Sequence, residues 1–429
     1  MRVLITTIGS SGDIHPYIAV GRELLRRGHA VEMLVNPHYE QRVRAEGLGY
    51  RPLGTEEQFL RVLHHPDLAN QSRSPGLIIR ELIGETVRPT FDATLAAIRE
   101  FRPDVVLRHH ISLGSRWVCE REGVPCITGV LAPIFWLNPR DRVVYRSWQW
   151  EQPPLWVARL RIRLGRWVMR FMFDRALNRE RRALGLPPAS DQFKAETLPA
   201  SRVLGLWSAH FRGPQEGDPA SGRICGFAFF DAAAGHKAGH DKLGAFLDDC
   251  GSSGESPLVF TLGTSVVHHH AGFYDTAAEV CRRLGRRGLL LTGKAEYAPR
   301  RLPPEVQAVP YAPFSLVLQR AAAVVHHGGV GTTGQCLRAG VPTVIVPFAN
   351  DEFDNARRAK LLGTSVTLHT HRLSIEGLCA AMRRVLESDA IAERAEALGR
   401  RIRAEDGAAA AADEVEAVAS SQHAPQFIE

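Results

Sequence analysis

At 429 residues and 45% apolar content the chain has the length for two domains, each with its own core; nothing in it reaches the ~18 uninterrupted apolar residues of a membrane span. The start, MRVLITTIGSSGD, breaks into Gly, Ser and Asp too early for a secretory signal, and the seven cysteines contain no C-x-x-C pair, so a cytoplasmic protein with reduced core thiols is expected. The net charge of +7 is concentrated in residues 140–182, which hold twelve arginines against four acids, and this argues against a nucleic-acid stripe along the chain.

RVLITT, YIAVGRELLRRG, AVEMLV, PDVVL and VPCITGVL follow one another with the rhythm of a parallel sheet wrapped by helices. In the first helix Pro16 suits the opening position, Tyr17, Val20 and Leu24 share a face, and Gly28 is a stop signal. The loop GSSGDIH then sits at the carboxyl edge of the first strand. Further on, LWVARLRIRLGRWVMRFMFDRALNRERRAL, residues 155–184, places Leu160, Leu164, Trp167, Val168, Phe171 and Met172 at helical spacing and Arg159, Arg163, Arg166 and Arg170 in a separate row. A core-facing helix with solvated arginines and a peripheral contact with anionic lipid both fit that pattern.

From about Arg212 to Ser256 the chain is rich in Gly, Ala and Ser and reads as an interdomain connection. A second alternation follows: PLVFTLG, GLLLTG, AAAVVHH, PTVIVPF and SVTLH. The expected fold class is α/β, with two doubly wound Rossmann-like domains facing a cleft. The first spans 1–222, a linker 223–256, and the second 257–429, its last helix packing back on the first domain. Ligands in such folds sit at the carboxyl ends of strands.

HHGGVGTTG, His326 to Gly334, follows a buried strand and opens a helix, so its unpaired amides and glycines suit a diphosphate. Gly329, Gly331 and Gly334 also have dinucleotide spacing, with Asp351 about 20 residues on, which makes an NAD-dependent oxidoreductase one reading. The histidine clusters at 268–270 and 369–371 lack Cys, Asp or Glu at ligand spacing and read as solvated surface. No D-x-D triplet is present.

HHGGVGTTGQCLRAGVPTVIVPFANDEFDNARRAKLLG resembles the donor signature of the UDP-glycosyltransferase family (family 1), which includes sterol glucosyltransferases, antibiotic-tailoring glycosyltransferases and rhamnolipid rhamnosyltransferases. TIGSSGDIHPYIAVGRELLRRGH resembles the acceptor-side signature of the same family. The resemblance implies a GT-B fold and inverting, metal-independent transfer of a hexose from a UDP- or dTDP-sugar to a hydroxyl of a hydrophobic acceptor, with no cofactor. It implies donor contacts from Gly12, Gly263, Thr264, Ser265, Tyr311, His326, Gly328, Gly329, Gly331 and Thr332, with Asp351 and Glu352 on the sugar hydroxyls. Asp13 takes the position of the general base, and His109, ending PDVVLRH on the same sheet edge, orients it or the acceptor. Where relatives commonly carry Asp-Gln this chain has Asp351-Glu352, and a carboxylate cannot donate as an amide does, so glucose is not assumed. A catalytically silent sugar-nucleotide binder is a further alternative, against which the presence of Asp13 argues.

Overall fold

The computed structural model describes residues 1–68, 70, 73–79, 81, 85–145, 150–193, 202–231, 237–269 and 272–421. Seven strands, β1 Arg2–Thr6, β2 Ala30–Val35, β3 Gly49–Pro52, β4 Val105–His109, β5 Cys126–Val130, β6 Arg202–Gly205 and β7 Gly222–Ile224, form one sheet in the order β3-β2-β1-β4-β5-β6-β7. Six more, β8 Leu258–Thr261, β9 Gly288–Leu291, β10 Val306–Val309, β11 Ala323–His326, β12 Thr343–Ile345 and β13 Ser365–Thr367, form a second sheet in the order β10-β9-β8-β11-β12-β13. Every pairing is parallel. Helices cover both faces of such sheets, which is why strands such as RVLIT are buried almost throughout rather than alternating.

Helix α1, Ser11–Arg26, packs Ile14, Tyr17, Ile18, Val20 and Leu24 into the first core with no exposed surface, each worth about 1.5–3 kcal/mol of burial. It ends where expected, Gly28 adopting a φ of +84° just past its last turn. Its start differs: Ser10 is the N-cap and Pro16 lies inside the helix. The amide that proline lacks would have bonded to Gly12, which lies in the exposed first turn, where a missing helix bond costs least. Tyr17 ties α1 to the sheet by donating its hydroxyl to the Gly129 carbonyl at 2.9 Å.

Helices α2 Val87–Phe101 and α3 Leu113–Glu122 pack on the opposite face. Helix α4 Leu155–Met169 continues through a π-helical turn, Arg170–Asp174, into α5 Arg175–Ala183. The alternative in which this helix turns its apolar row to the core is overturned: Leu160, Leu164, Trp167, Phe171 and Met172 are all exposed, and Val157, Ala158 and Leu177 at its two ends are what anchor it.

The Gly- and Ala-rich stretch is not a bare connection. Gly222–Ile224 is the edge strand, Cys225, Ala228 and Phe230 join the first core, and Lys237–Ser253 is a helix whose Leu243 and Leu247 enter the second domain's core. Small residues there allow close packing rather than a loose tether.

In the second domain α6 Val330–Ala339, α7 Glu352–Leu361 and α8 Asp389–Arg403 surround the strand ends. Helix α9, Gly407–Ser421, crosses to α1 and places Ala411, Ala412 and Val415 in the first core. Arg27 holds it with bonds to Asp413 at 2.6 Å and Glu416 at 2.8 Å. All seven cysteines are buried and outside any disulfide. Among the described residues no helix is long and apolar enough to cross a membrane.

Candidate active site

β1 delivers the chain to a loop in which Gly9 has a φ of +122°, a conformation that favours glycine. The loop turns Ser10 into the N-cap of α1 and brings Asp13 back over it: Asp13 Oδ2 accepts the Ser10 amide at 2.8 Å and the Ser10 hydroxyl at 3.2 Å. Oδ1 faces His109 Nε2 at 3.6 Å, close enough for charge but beyond a good hydrogen bond. The Ile111 amide points at His109 Nδ1 at 3.5 Å, which leaves the ring proton on Nε2, toward the carboxylate. His109 is 1% exposed, whereas the Asp13 side chain keeps 33% of its surface open. The carboxylate is oriented from behind and accessible in front.

His110 escaped the sequence reading, although it is the second half of a His-His doublet at a strand end. Its ring lies 4.3 Å from that of His109 and 4.4 Å from that of Phe135. Burial holds it well below the ordinary imidazole range, with His109 and Arg108 adding, so it is neutral. Both of its ring nitrogens are buried without a partner.

On the facing domain, His326 ends β11 fully buried, and its Nδ1 accepts the Gly328 amide at 3.1 Å. Its Nε2 then carries the proton and has no partner. Burial, reinforced by His327, lowers its pKa to about 3. At neutral pH the ring is therefore an uncharged donor. His327, also pushed down to about 4 by burial, packs between two glycines: a Cβ at Gly263 or at Gly329 would each come within 2.4 Å of its ring. Gly328, at φ +99°, sits against Ile345 and Glu352 with no room for a side chain.

Helix α6 starts immediately after, with Gly329 as N-cap. Thr333 returns its amide to the Gly329 carbonyl at 2.9 Å, so the amides of Val330, Gly331 and Thr332 are the unpaired donors of the first turn. Space around Gly331 is open, and Gly334 packs on the Phe227 ring. Asn355 Nδ2 donates both to the Gly328 carbonyl at 3.0 Å and to Asp351 Oδ2 at 2.7 Å, fastening α7 to the loop. Asp351 is partly exposed, and its pKa is raised to about 6, mainly by burial, with the Asp13 charge adding across the cleft. Glu352 is 4% exposed, and its Oε2 accepts the Phe348 and Ala349 amides at 2.6 and 2.8 Å. One oxygen of that carboxylate therefore organises the loop itself.

The structure brings Gly263, His326, Gly328, Gly329, Thr332, Asp351 and Glu352 together around the start of α6, several of them buried beneath it. Thr264, exposed, and Ser265 lie on the short helix Gly263–Val266 beside it. Tyr311 is 50% exposed on the loop after β10 and is not part of the core. Gly12 is exposed in the first turn of α1 with open space around it; the glycine that Asp13 requires is Gly9.

The two halves are held in register by contacts across the cleft. Val330, at the start of α6, packs against the first domain's core, and the Ser74 hydroxyl donates to Asn350 Oδ1 at 3.3 Å. His268 meets His64 edge to face at 4.9 Å, so this member of the 268–270 cluster is a domain contact and not free surface. Deeper, Asp141 accepts from Arg212 at 2.8 Å and from Arg358 at 3.3 Å, Arg358 Nε donates to Asp354 at 2.7 Å, and Asp354 accepts the Val144 amide at 3.1 Å. The Asp141, Arg212 and Asp354 side chains are at most 1% exposed.

Two all-parallel domains, one presenting a carboxylate and the other a glycine-lined helix start to the same cleft, are the architecture of a GT-B glycosyltransferase, an enzyme that moves a sugar from a nucleotide sugar. Residues 3–128 match the model of the glycosyltransferase family 28 N-terminal domain, and residues 289–418 that of the erythromycin biosynthesis protein CIII-like C-terminal domain. The chain is 29% identical to the O-mycaminosyltylonolide 6-deoxyallosyltransferase of Streptomyces fradiae, with 95% of each covered. It is 25% identical to the sterol 3-beta-glucosyltransferase of Leptosphaeria maculans over 95% of its own length, spanning only 28% of that larger protein. The fold matches the glycotransferase of kitacinnamycin with a TM-score of 0.74 at 23% identity, covering 97% of this chain and 98% of that one. It matches the Streptomyces sp. SF2575 glycosyltransferase SsfS6, solved with thymidine diphosphate, with a TM-score of 0.66 at 19% identity, covering 97% and 99%.

The oxidoreductase alternative and the silent-binder alternative are set aside by this result. A dinucleotide fingerprint follows the first strand of its domain. Here the glycines follow β11, the fourth strand of the second sheet in chain order, and Gly329 and Gly328 are accounted for by His327, Ile345 and Glu352.

Proposed function

We propose that the enzyme is an inverting, metal-independent hexosyltransferase that uses a UDP- or dTDP-sugar and glycosylates a hydroxyl of a hydrophobic acceptor, with Asp13 as general base. The observation that carries this reading is the Asp13 carboxylate, gripped by Ser10, backed by His109 Nε2–H and open toward the donor loop. The acceptor oxygen attacks the anomeric carbon from the first domain's side as its proton passes to Asp13. The bond to the diphosphate breaks with its electron pair leaving on the nucleotide, and the configuration inverts. The free amides of α6 and the uncharged Nε2–H of His326 supply donors to the departing diphosphate without a cation.

On this reading Gly263, Thr264, Ser265, Gly328, Gly329, Gly331 and Thr332 cradle the nucleotide diphosphate, Tyr311 stacks on the base, and Asp351 with Glu352 addresses the sugar hydroxyls. Gly12 borders the donor. A cytoplasmic location and a peripheral membrane contact through 155–184 belong to the same reading.

Thermal denaturation with a panel of ligands tests it. UDP, dTDP or one of their sugars at 100 times its dissociation constant stabilises the fold by about 2.7 kcal/mol, while NADH does nothing. The product's anomeric coupling constant, compared with the donor's, reports inversion. Stabilisation by NADH alone, or retention of configuration, overturns the assignment.

A further inference from the structure

The helix from Leu155 to Ala183 carries a surface that the fold leaves uncovered. Trp156, Leu160, Leu164, Trp167, Phe171 and Met172 are between 54 and 77% exposed. At about 100° per residue the first five fall within about 80° of one another, a single ridge. Trp167 and Phe171 stack on each other in solvent, ring centroids 5.8 Å apart and planes within 15°. Contiguous exposed side chains of this size mark a contact surface on a folded protein.

The flank of the ridge is cationic. Arg159, Arg163, Arg166 and Arg170 form its border, and the whole segment 155–183 holds nine arginines against two acids. Arg166 pairs with Asp191, and Arg170 lies 3.7 Å from Asp174. Arg159 and Arg163 have no acid partner among the described residues. Two copies of the chain meeting ridge to ridge with these helices antiparallel would bring the arginine rows together, an arrangement that repels. A surface with an apolar interior and anionic headgroups satisfies both features at once.

We infer that this helix is a docking surface for anionic lipid, lying in the plane of the membrane with Trp156, Leu160, Leu164, Trp167 and Phe171 below the headgroups and Arg159 and Arg163 among them. The inference rests on the proposed hydrophobic acceptor and deepens it: the acceptor is a membrane-resident alcohol. The turn Pro139–Asp141 packs against α4. Phe135, six residues before Asp141 and 41% exposed, lies against His110, which adjoins His109 and so Asp13. The lipid-facing helix and the carboxylate are thus on one domain, joined by a short aromatic stretch.

The experiment is binding of the purified enzyme to vesicles of phosphatidylcholine with and without phosphatidylglycerol, followed by cosedimentation and tryptophan emission. Binding to the anionic vesicles is expected at about 0.1 M salt and to fall at least tenfold by about 0.5 M, where the screening length is halved. Arg159→Gln with Arg163→Gln weakens it about fivefold per charge, and Trp167→Ser with Phe171→Ser removes the emission shift. Both double variants keep the wild-type stabilisation by donor nucleotide, a readout that would fail separately if the glycosyltransfer reading were at fault. Absence of binding to anionic vesicles at low salt, or binding indifferent to the arginine pair, overturns the inference. So does a concentration-dependent dimer that Trp167→Ser abolishes, which would give the ridge to a second copy.

Discussion

Gly9 and Asp13 compete for one space: a Cβ on Gly9 would lie 2.3 Å from Asp13 Oδ2, and Gly9 also holds a φ of +122°. The carboxylate folds back onto the loop only because position 9 has no side chain. Gly9→Ala is therefore expected to displace Asp13 and lower the transfer rate by about 10²-fold, the usual cost of a misplaced reacting group, with the donor dissociation constant unchanged. Equal loss of rate and donor affinity would mean that the loop as a whole had collapsed.

Asp13→Asn keeps the volume and the Ser10 contacts available while removing the base. Transfer should fall by about two to four orders of magnitude with donor affinity within about threefold, so the effect lies in kcat. Undiminished turnover would reduce Asp13 to a helix-capping residue.

The ionisation of Asp351 makes stability depend on pH. Its carboxyl is raised to about 6, chiefly by burial, against the Asn355 bond that pulls it down and with Asp13 and Asp354 pushing it up. The native state thus holds the proton more tightly than the unfolded chain, whose aspartate titrates near ~3.9. The contribution is complete below about pH 4 and is lost as pH rises through about 6. Asp351→Asn should accordingly gain in melting temperature relative to wild type between pH 4.5 and 7.5, then run parallel above that. A difference independent of pH would show the carboxylate ionising as it does in solution.

The buried network around Asp141 is expected to be the costliest polar feature to break. Asp141→Ala takes away one of two carboxylates from each guanidinium, leaving Arg212 with Asp218 and Arg358 with Asp354, and losing a partner of a buried ion pair costs up to about 3–5 kcal/mol. Urea unfolding should register that loss, and the double variant Asp141→Ala with Arg358→Met should recover part of it. A cost below about 1 kcal/mol would mean that water reaches the site freely.

The parallel domains were legible because buried strands and amphipathic helices have periods that survive in one dimension, and because Gly28 and the run from His326 to Gly334 are local punctuation. What escaped was set by contacts distant in sequence. Pro16 was read as a helix start because proline favours that position, yet the Ser10 cap and the Asp13 carboxylate begin α1 five residues earlier. Asp141, Arg212 and Arg358 are 71 and 146 residues apart in succession and share no pattern. The neutrality of His326 follows from burial, which spacing does not report. In the other direction, the row of apolar residues from Leu160 to Met172 was visible, but the same row serves a core or a surface, and only the packing around it distinguishes the two.

Helix α9 bears on how the molecule is made. Ala411, Ala412 and Val415 complete a core whose other walls are β1, β2 and α1, and Arg27 and His29 bond to Glu416 at 2.8 and 2.6 Å. During synthesis the first 220 residues leave the ribosome with that groove open, and they cannot close it until nearly 200 more have been added. The second domain waits almost as long, for α8 and its Leu398 and Ile402, so one short stretch at the end of the described chain completes both halves.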